Sequence, residues 1–167
     1  MSNRIRSRDA LRAAKATLQR FSVPERLEVD ALRTLAAEVH GKPIRRVEVD
    51  HFESPQVCAI LATCHDAPFS QLKIRRSAVD DYCLLKECHE YAHVLLGQTS
   101  LITIDSLMAS LREDSSNWVA RAYGGEGTIE ELSAETLGRM IFERIQAGRT
   151  PSHSGFGKVL RAHAHMA

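Results

Sequence analysis

Apolar residues along the chain recur at helical spacing in some stretches and at every second position in others, and the two patterns divide it into elements. Leu11, Ala14 and Leu18 predict a helix over about residues 9–21. Ser22-Val23-Pro24 reads as an N-cap and early helical proline. It opens a second predicted helix running to about residue 40, with Leu27, Leu32, Leu35 and Ala36 facing the core and Gly41 as the stop. Three β patterns follow. Residues 44–49 mix β-branched residues with alternating charge. Residues 57–63 are nearly all apolar, as in a strand buried on both faces. Residues 71–76 alternate Leu72 and Ile74 with Lys73 and Arg75, as in a strand with one solvated face. The turn signal His65-Asp66-Ala67-Pro68 predicts that the last two pair antiparallel. Asp80 or Asp81 then caps a third helix ending at Gly97. Short helices are predicted over 104–111 and 117–123. Gly124, Gly125 and Gly127 mark a loop, residues 129–146 a final helix, and Pro151, Ser152, Ser154, Gly155 and Gly157 a loop-like tail.

The expected class is therefore α+β. At 167 residues the chain is long enough for one domain with a sizeable core, spanning 1–167, with 1–21 a basic N-terminal helix and 148–167 a C-terminal tail. The formal net charge of +1 gives no global argument for nucleic acid or membrane binding. No apolar run approaches the roughly 20 residues that span a bilayer, and the N-terminus lacks the apolar core of a secretory signal. Arg4, Arg6, Arg8, Arg12, Lys15 and Arg20, against Asp9 alone, are read as the solvated face of the first helix rather than as a nucleic-acid arm. Cys58, Cys64, Cys83 and Cys88 form no C-x-x-C pair and are read as reduced thiols of a cytoplasmic protein.

Chemistry concentrates in the third helix, in Lys86-Glu-Cys-His-Glu-Tyr-Ala-His-Val-Leu-Leu-Gly97. Positions four apart on a helix differ by about 40° and one turn of rise, so His89 and His93 point the same way and can share one metal ion. Glu90 is rotated by about 100° from His89. It is poorly placed as a third ligand to the same ion but can reach a water on it, as a metal-assisted hydrolase requires. Leu84, Cys88, Tyr91, Ala92 and Leu95, with Leu85 and Leu96, form an apolar arc with the histidines at its edge and Cys88 on the packing side. With 8 histidines in the chain a chance H-x-x-x-H is not rare; the glutamate and the amphipathic context make coincidence harder to sustain.

Catalytic zinc usually takes three protein ligands. The best remaining candidate is Glu131, on the helix that begins after Thr128, with Glu135 one turn further along the same face. Glu131 would bind the ion, and Glu135 could accept a hydrogen bond from a ligand imidazole and fix its tautomer. Thr128-x-x-Glu131 also matches a capping box, in which Glu131 only bonds the helix N-terminus. With H-E-x-x-H upstream, ligation is the preferred reading. Ala134 and Gly138 are small enough to let this helix approach another backbone. His51 and His65 fall in turns and His153, His163 and His165 near the C-terminus; one of these, or Tyr123, is a candidate to stabilise an oxyanion.

The order of a Gly-Lys-Pro-Ile helix end, a strand pair, "HEYAHVLLG" and "EELSAETLGRMI" resembles the ImmA/IrrE metallopeptidases, particularly the short actinobacterial versions. The family pattern is H-E-x-x-H followed by E-x-x-A-[DNE], which Glu131-Leu-Ser-Ala134-Glu135 matches; the likeness covers about residues 22–147. Position 135 is Glu where the family often has Asp or Asn, and the Met-Pro often found after that helix is missing. The resemblance implies one Zn²⁺ per chain held by His89, His93 and Glu131, with Glu90 as general base. It implies a minimal gluzincin-type, zincin-like domain with its active-site helix on a small, mostly antiparallel sheet. It also implies a cytoplasmic role in transcription regulation, by cleavage of a partner helix-turn-helix repressor. The competing expectation is a non-catalytic module of the same shape that binds and sequesters a regulatory partner.

Overall fold

The computed structural model describes residues 3–52, 57–64, 67–98, 118–120 and 128–149. They form α1 (Asn3–Arg20), α2 (Val29–His40), β1 (Ile44–Val49), β2 (Ala59–Cys64), β3 (Ser70–Arg75), α3 (Asp80–Leu95), β4 (Trp118–Ala120) and α4 (Ile129–Gly148). The class is α+β. The strands make one mixed sheet in the order β1-β3-β2-β4, with β2 antiparallel to β3 and β4 and β1 parallel to β3.

α3 is the shared element. It contacts β2 and β3, and it packs against α2 and α4; α1 packs on α4. Leu61 of β2 and Leu72 and Ile74 of β3 join Leu84, Cys88, Tyr91, Ala92 and Leu95 of α3 in the main core, completed by Leu32 and Ala36 of α2 and Leu137, Ile141 and Ile145 of α4. Ile60 and Ala62 project from the other side of β2 into a smaller cluster with Phe52. That two-sided burial is why residues 57–63 read as a nearly all-apolar run. β3 buries alternate residues, as its alternating sequence predicts.

Several expectations are corrected. The second helix begins at Val29, with Glu28 as N-cap, not at Ser22. Residues 22–28 are held by tertiary partners instead. Val23 N–H bonds the Leu18 carbonyl, Leu27 N–H bonds the Arg144 carbonyl, and the Arg144 guanidinium reaches the Val23 carbonyl and Glu25. On α1 the buried stripe is Ala10, Ala14 and Leu18, and Leu11 is exposed. The N-cap of α3 is Val79, without a side-chain cap bond; Asp80 and Asp81 sit in the first turn, where negative charge favours the helix dipole. Residues 118–120 are strand, not helix. The helix expected over 104–111, the Gly124–127 loop and the tail after 149 lie outside the described residues. Among the described residues no helix is long and apolar enough to cross a membrane.

Candidate metal centre

The packing of α3 against α4 brings the proposed donors together. His89 Nε2 lies 3.1 Å from His93 Nε2 and 3.2 Å from Glu131 Oε1, and His93 Nε2 lies 3.5 Å from Glu131 Oε2. The three ligand atoms all fall within 4.8 Å of one another. Donors bound at about 2.0–2.1 Å to one tetrahedral ion stand roughly 3.3 Å apart, so these separations match a shared cation. The two helices come this close because Gly138 has no side chain. A Cβ there would stand 2.9 Å from His89 Cα and 3.1 Å from His89 N. Ala134, one turn earlier, is fully buried in the same seam.

Thr128 resolves the capping question. Its hydroxyl accepts the Glu131 backbone N–H at 3.1 Å, while the Glu131 carboxylate faces the two histidines. The residue is therefore capped through its backbone and presented through its side chain. The site opens on one side: the His93 side chain is 0% exposed, whereas His89 and Glu131 are 22% and 31% exposed.

Electrostatics follow the geometry. The His89 imidazole, hydrogen-bonded to Glu131, and then the His93 ring beside it hold the Glu131 carboxyl down to about 2, against a smaller upward push from burial. Burial is the largest influence on both imidazoles and disfavours their charged forms. It prevails at His93, which is lowered; at His89 it is outweighed by the Glu131 hydrogen bond and the charges of Glu90 and Glu131, so that ring is raised. Burial pushes Glu90 up to about 7, His89 opposing and Glu131 adding to the rise. Glu90 accepts a hydrogen bond from the Leu61 backbone N–H on β2, and its Oε2 has no hydrogen-bond partner among the described residues. Cys88 is a fully buried thiol that burial drives upward, in keeping with a packing role.

Glu135 does not take the place expected of it. Its carboxylate pairs with Arg139 at 2.8 Å on an exposed face. The outer nitrogen of His93 is met instead by Gln98, whose Oε1 stands 2.6 Å from Nδ1. His51 is exposed. Tyr123, His65, His153, His163 and His165 lie outside the described residues, as does any choice among them as oxyanion partner. Among the described residues Cys58, Cys83 and Cys88 form no disulfide.

Two further residues of this region carry no motif. Gln98 is one. The other is Glu87, whose side chain is 2% exposed and whose carboxylate takes Arg33 Nε at 2.7 Å and Arg46 Nε at 3.2 Å. Its position on α3 among Leu84, Cys88 and Tyr91 places a charge where a core residue belongs. That break in the apolar arc is a readable sign of a buried, paired carboxylate.

No family model, curated protein or solved structure matches this chain. What it does rests on the geometry of the site and on the motifs.

Proposed function

We propose that this protein is a zinc-dependent endopeptidase of zincin type, related to the ImmA/IrrE family, that cuts a cytoplasmic helix-turn-helix repressor. The observation that carries the reading is the meeting of His89, His93 and Glu131 at one point, with Glu90 buried on the same helix. Two imidazoles and one carboxylate suit zinc and leave a fourth position open for chemistry. The repressor as substrate follows from the likeness of the two motifs to that family.

A zinc ion held there would supply Lewis-acid polarisation of the scissile carbonyl and make a coordinated water acidic enough to react near neutral pH. The chain's own residues do the rest. Glu90 takes the proton from the attacking water and returns it to the leaving amine, a task suited to a carboxyl raised to about 7. The Leu61 N–H hydrogen-bonds that carboxylate and fixes it to β2. Glu131, held anionic, balances the positive charge of the site.

The test has two parts. Elemental analysis of tag-free protein should find about one zinc per chain, falling sharply in Glu131→Ala. A panel of helix-turn-helix repressors from the same genome should then include one that is cut to two fragments, with cleavage lost on chelation. In Glu90→Gln, zinc should remain and cleavage disappear. Continued hydrolysis by zinc-loaded Glu90→Gln would falsify the assignment of the base.

A further inference from the structure

We propose that Gln98 is a positioning residue for the metal centre: it locks His93 in the Nδ1–H tautomer, so that the Nε2 lone pair faces His89 and Glu131. The role as a metal device rests on the reading above; the tautomer lock does not. α3 ends in a left-handed glycine, Gly97, at φ +67°. The chain reverses there in a Schellman turn: Gly97 N–H bonds the Val94 carbonyl and Gln98 N–H bonds the His93 carbonyl at 3.1 Å. The reversal lays Gln98 back on the residue one turn and a half earlier. Its backbone then holds the His93 carbonyl while its side chain meets the His93 ring.

The hydrogen-bond roles follow by elimination. Gln98 Nε2 donates to the Glu130 carbonyl at 3.1 Å, an acceptor that can pair only with the amide NH₂. The Gln98 oxygen is thereby the atom turned to His93 Nδ1, 2.6 Å away. An oxygen there can only accept, so Nδ1 carries the proton and Nε2 is bare. Bare Nε2 stands 3.5 Å from a Glu131 carboxylate oxygen and 3.1 Å from the facing His89 nitrogen. An unprotonated Nε2 beside a carboxylate oxygen and a second imidazole nitrogen suits a cation between them. The same amide ties the end of α3 to Glu130, the neighbour of Glu131, so one side chain fixes both the ring and the helix that brings the carboxylate. Glu135, the sequence-level candidate for this task, is turned to Arg139.

Three proteins decide the matter: wild type, Gln98→Leu and Gln98→Glu. Nitrogen-15 NMR of metal-free protein should show His93 as a single Nδ1–H tautomer in wild type and in Gln98→Glu, and as a mixture or the opposite tautomer in Gln98→Leu. Competition with a chromophoric chelator should show zinc affinity about ten- to a hundred-fold weaker in Gln98→Leu, with recovery in Gln98→Glu. The d–d spectrum of the Co²⁺-loaded proteins should shift in the same order. A wild-type tautomer in Gln98→Leu overturns the proposal, whatever the metal results. A lost tautomer with zinc affinity unchanged overturns its role at the metal. If wild type binds no zinc while the tautomer responds as expected, the endopeptidase reading fails and the lock on His93 stands.

Discussion

At the scale of single residues, Glu87 illustrates how a buried charge can be held without a metal. Its carboxylate lies between the guanidinium groups of Arg33 on α2 and Arg46 on β1, so one side chain of α3 fastens two neighbours. Arg33→Ala or Arg46→Ala alone leaves Glu87 with one cation. Removing both leaves a carboxylate in the core with neither, which costs about 3–5 kcal/mol. The double variant should therefore lose more stability than the two single losses added, and urea titration of the four proteins of the cycle measures the excess. Simple additivity would mean that Glu87 can turn to water and that the pairings are dispensable. The centre itself was mostly legible at this scale. The cluster of His89, His93 and Glu131 can be found from residue type and spacing alone. Gln98 cannot: Gly97 marks the end of α3 in the sequence, but the amide orientation that turns Gln98 onto His93 is fixed by a carbonyl on α4, which local sequence does not show.

Between elements, the seam of α3 and α4 sets the precision of the site. Gly138→Ala would place a methyl group against the backbone of His89, and backbone cannot swing aside as a long side chain can. The expected cost is about 1–3 kcal/mol, with zinc affinity falling as the two helices separate. A Gly138→Ala protein with wild-type melting temperature and metal affinity would show that the seam is looser than its distances indicate. Thr128→Ala tests the other end of α4. It should lower stability by about 1 kcal/mol through the lost N-cap and loosen the hold on Glu131. The elements were legible where local pattern and tertiary environment agree. β1 was read over 44–49 and is found there, and Gly41 stops α2 in the left-handed conformation expected of it. They were misread where distant partners decide. Pro24 follows a plausible cap, yet Arg144 and the backbone of α4 claim residues 22–28. A three-residue strand such as β4 is too short to show a period, and it exists by pairing with β2.

At the scale of the whole molecule, the proposed ion would join two helices far apart in sequence, so binding should stabilise the fold. With free zinc at a hundred times its dissociation constant the gain is about 2.7 kcal/mol. For a domain of this size that corresponds to a rise of about 5–10 °C in melting temperature. Differential scanning calorimetry with and without a chelator checks it, and Glu131→Ala should remove most of the shift. The sheet order carries a consequence of a different kind, for the time course of folding. β2 and β3 are consecutive in sequence, with five residues between them, and pair antiparallel, whereas β1 precedes both and lies parallel on the far side of β3. Short loops close before long ones, and a hairpin needs no crossover. The pair β2–β3, with α3 against it, is thus the natural nucleus, and β1 is a late arrival. In a chevron analysis Leu61→Ala and Leu72→Ala should slow refolding, while Ile44→Ala should chiefly speed unfolding. An Ile44 variant that refolds as slowly as the other two would put β1 in the nucleus. If β1 does come last, the half-made molecule already owns the surface on which the histidine helix rests, and the outermost strand is added to a centre whose scaffold is in place.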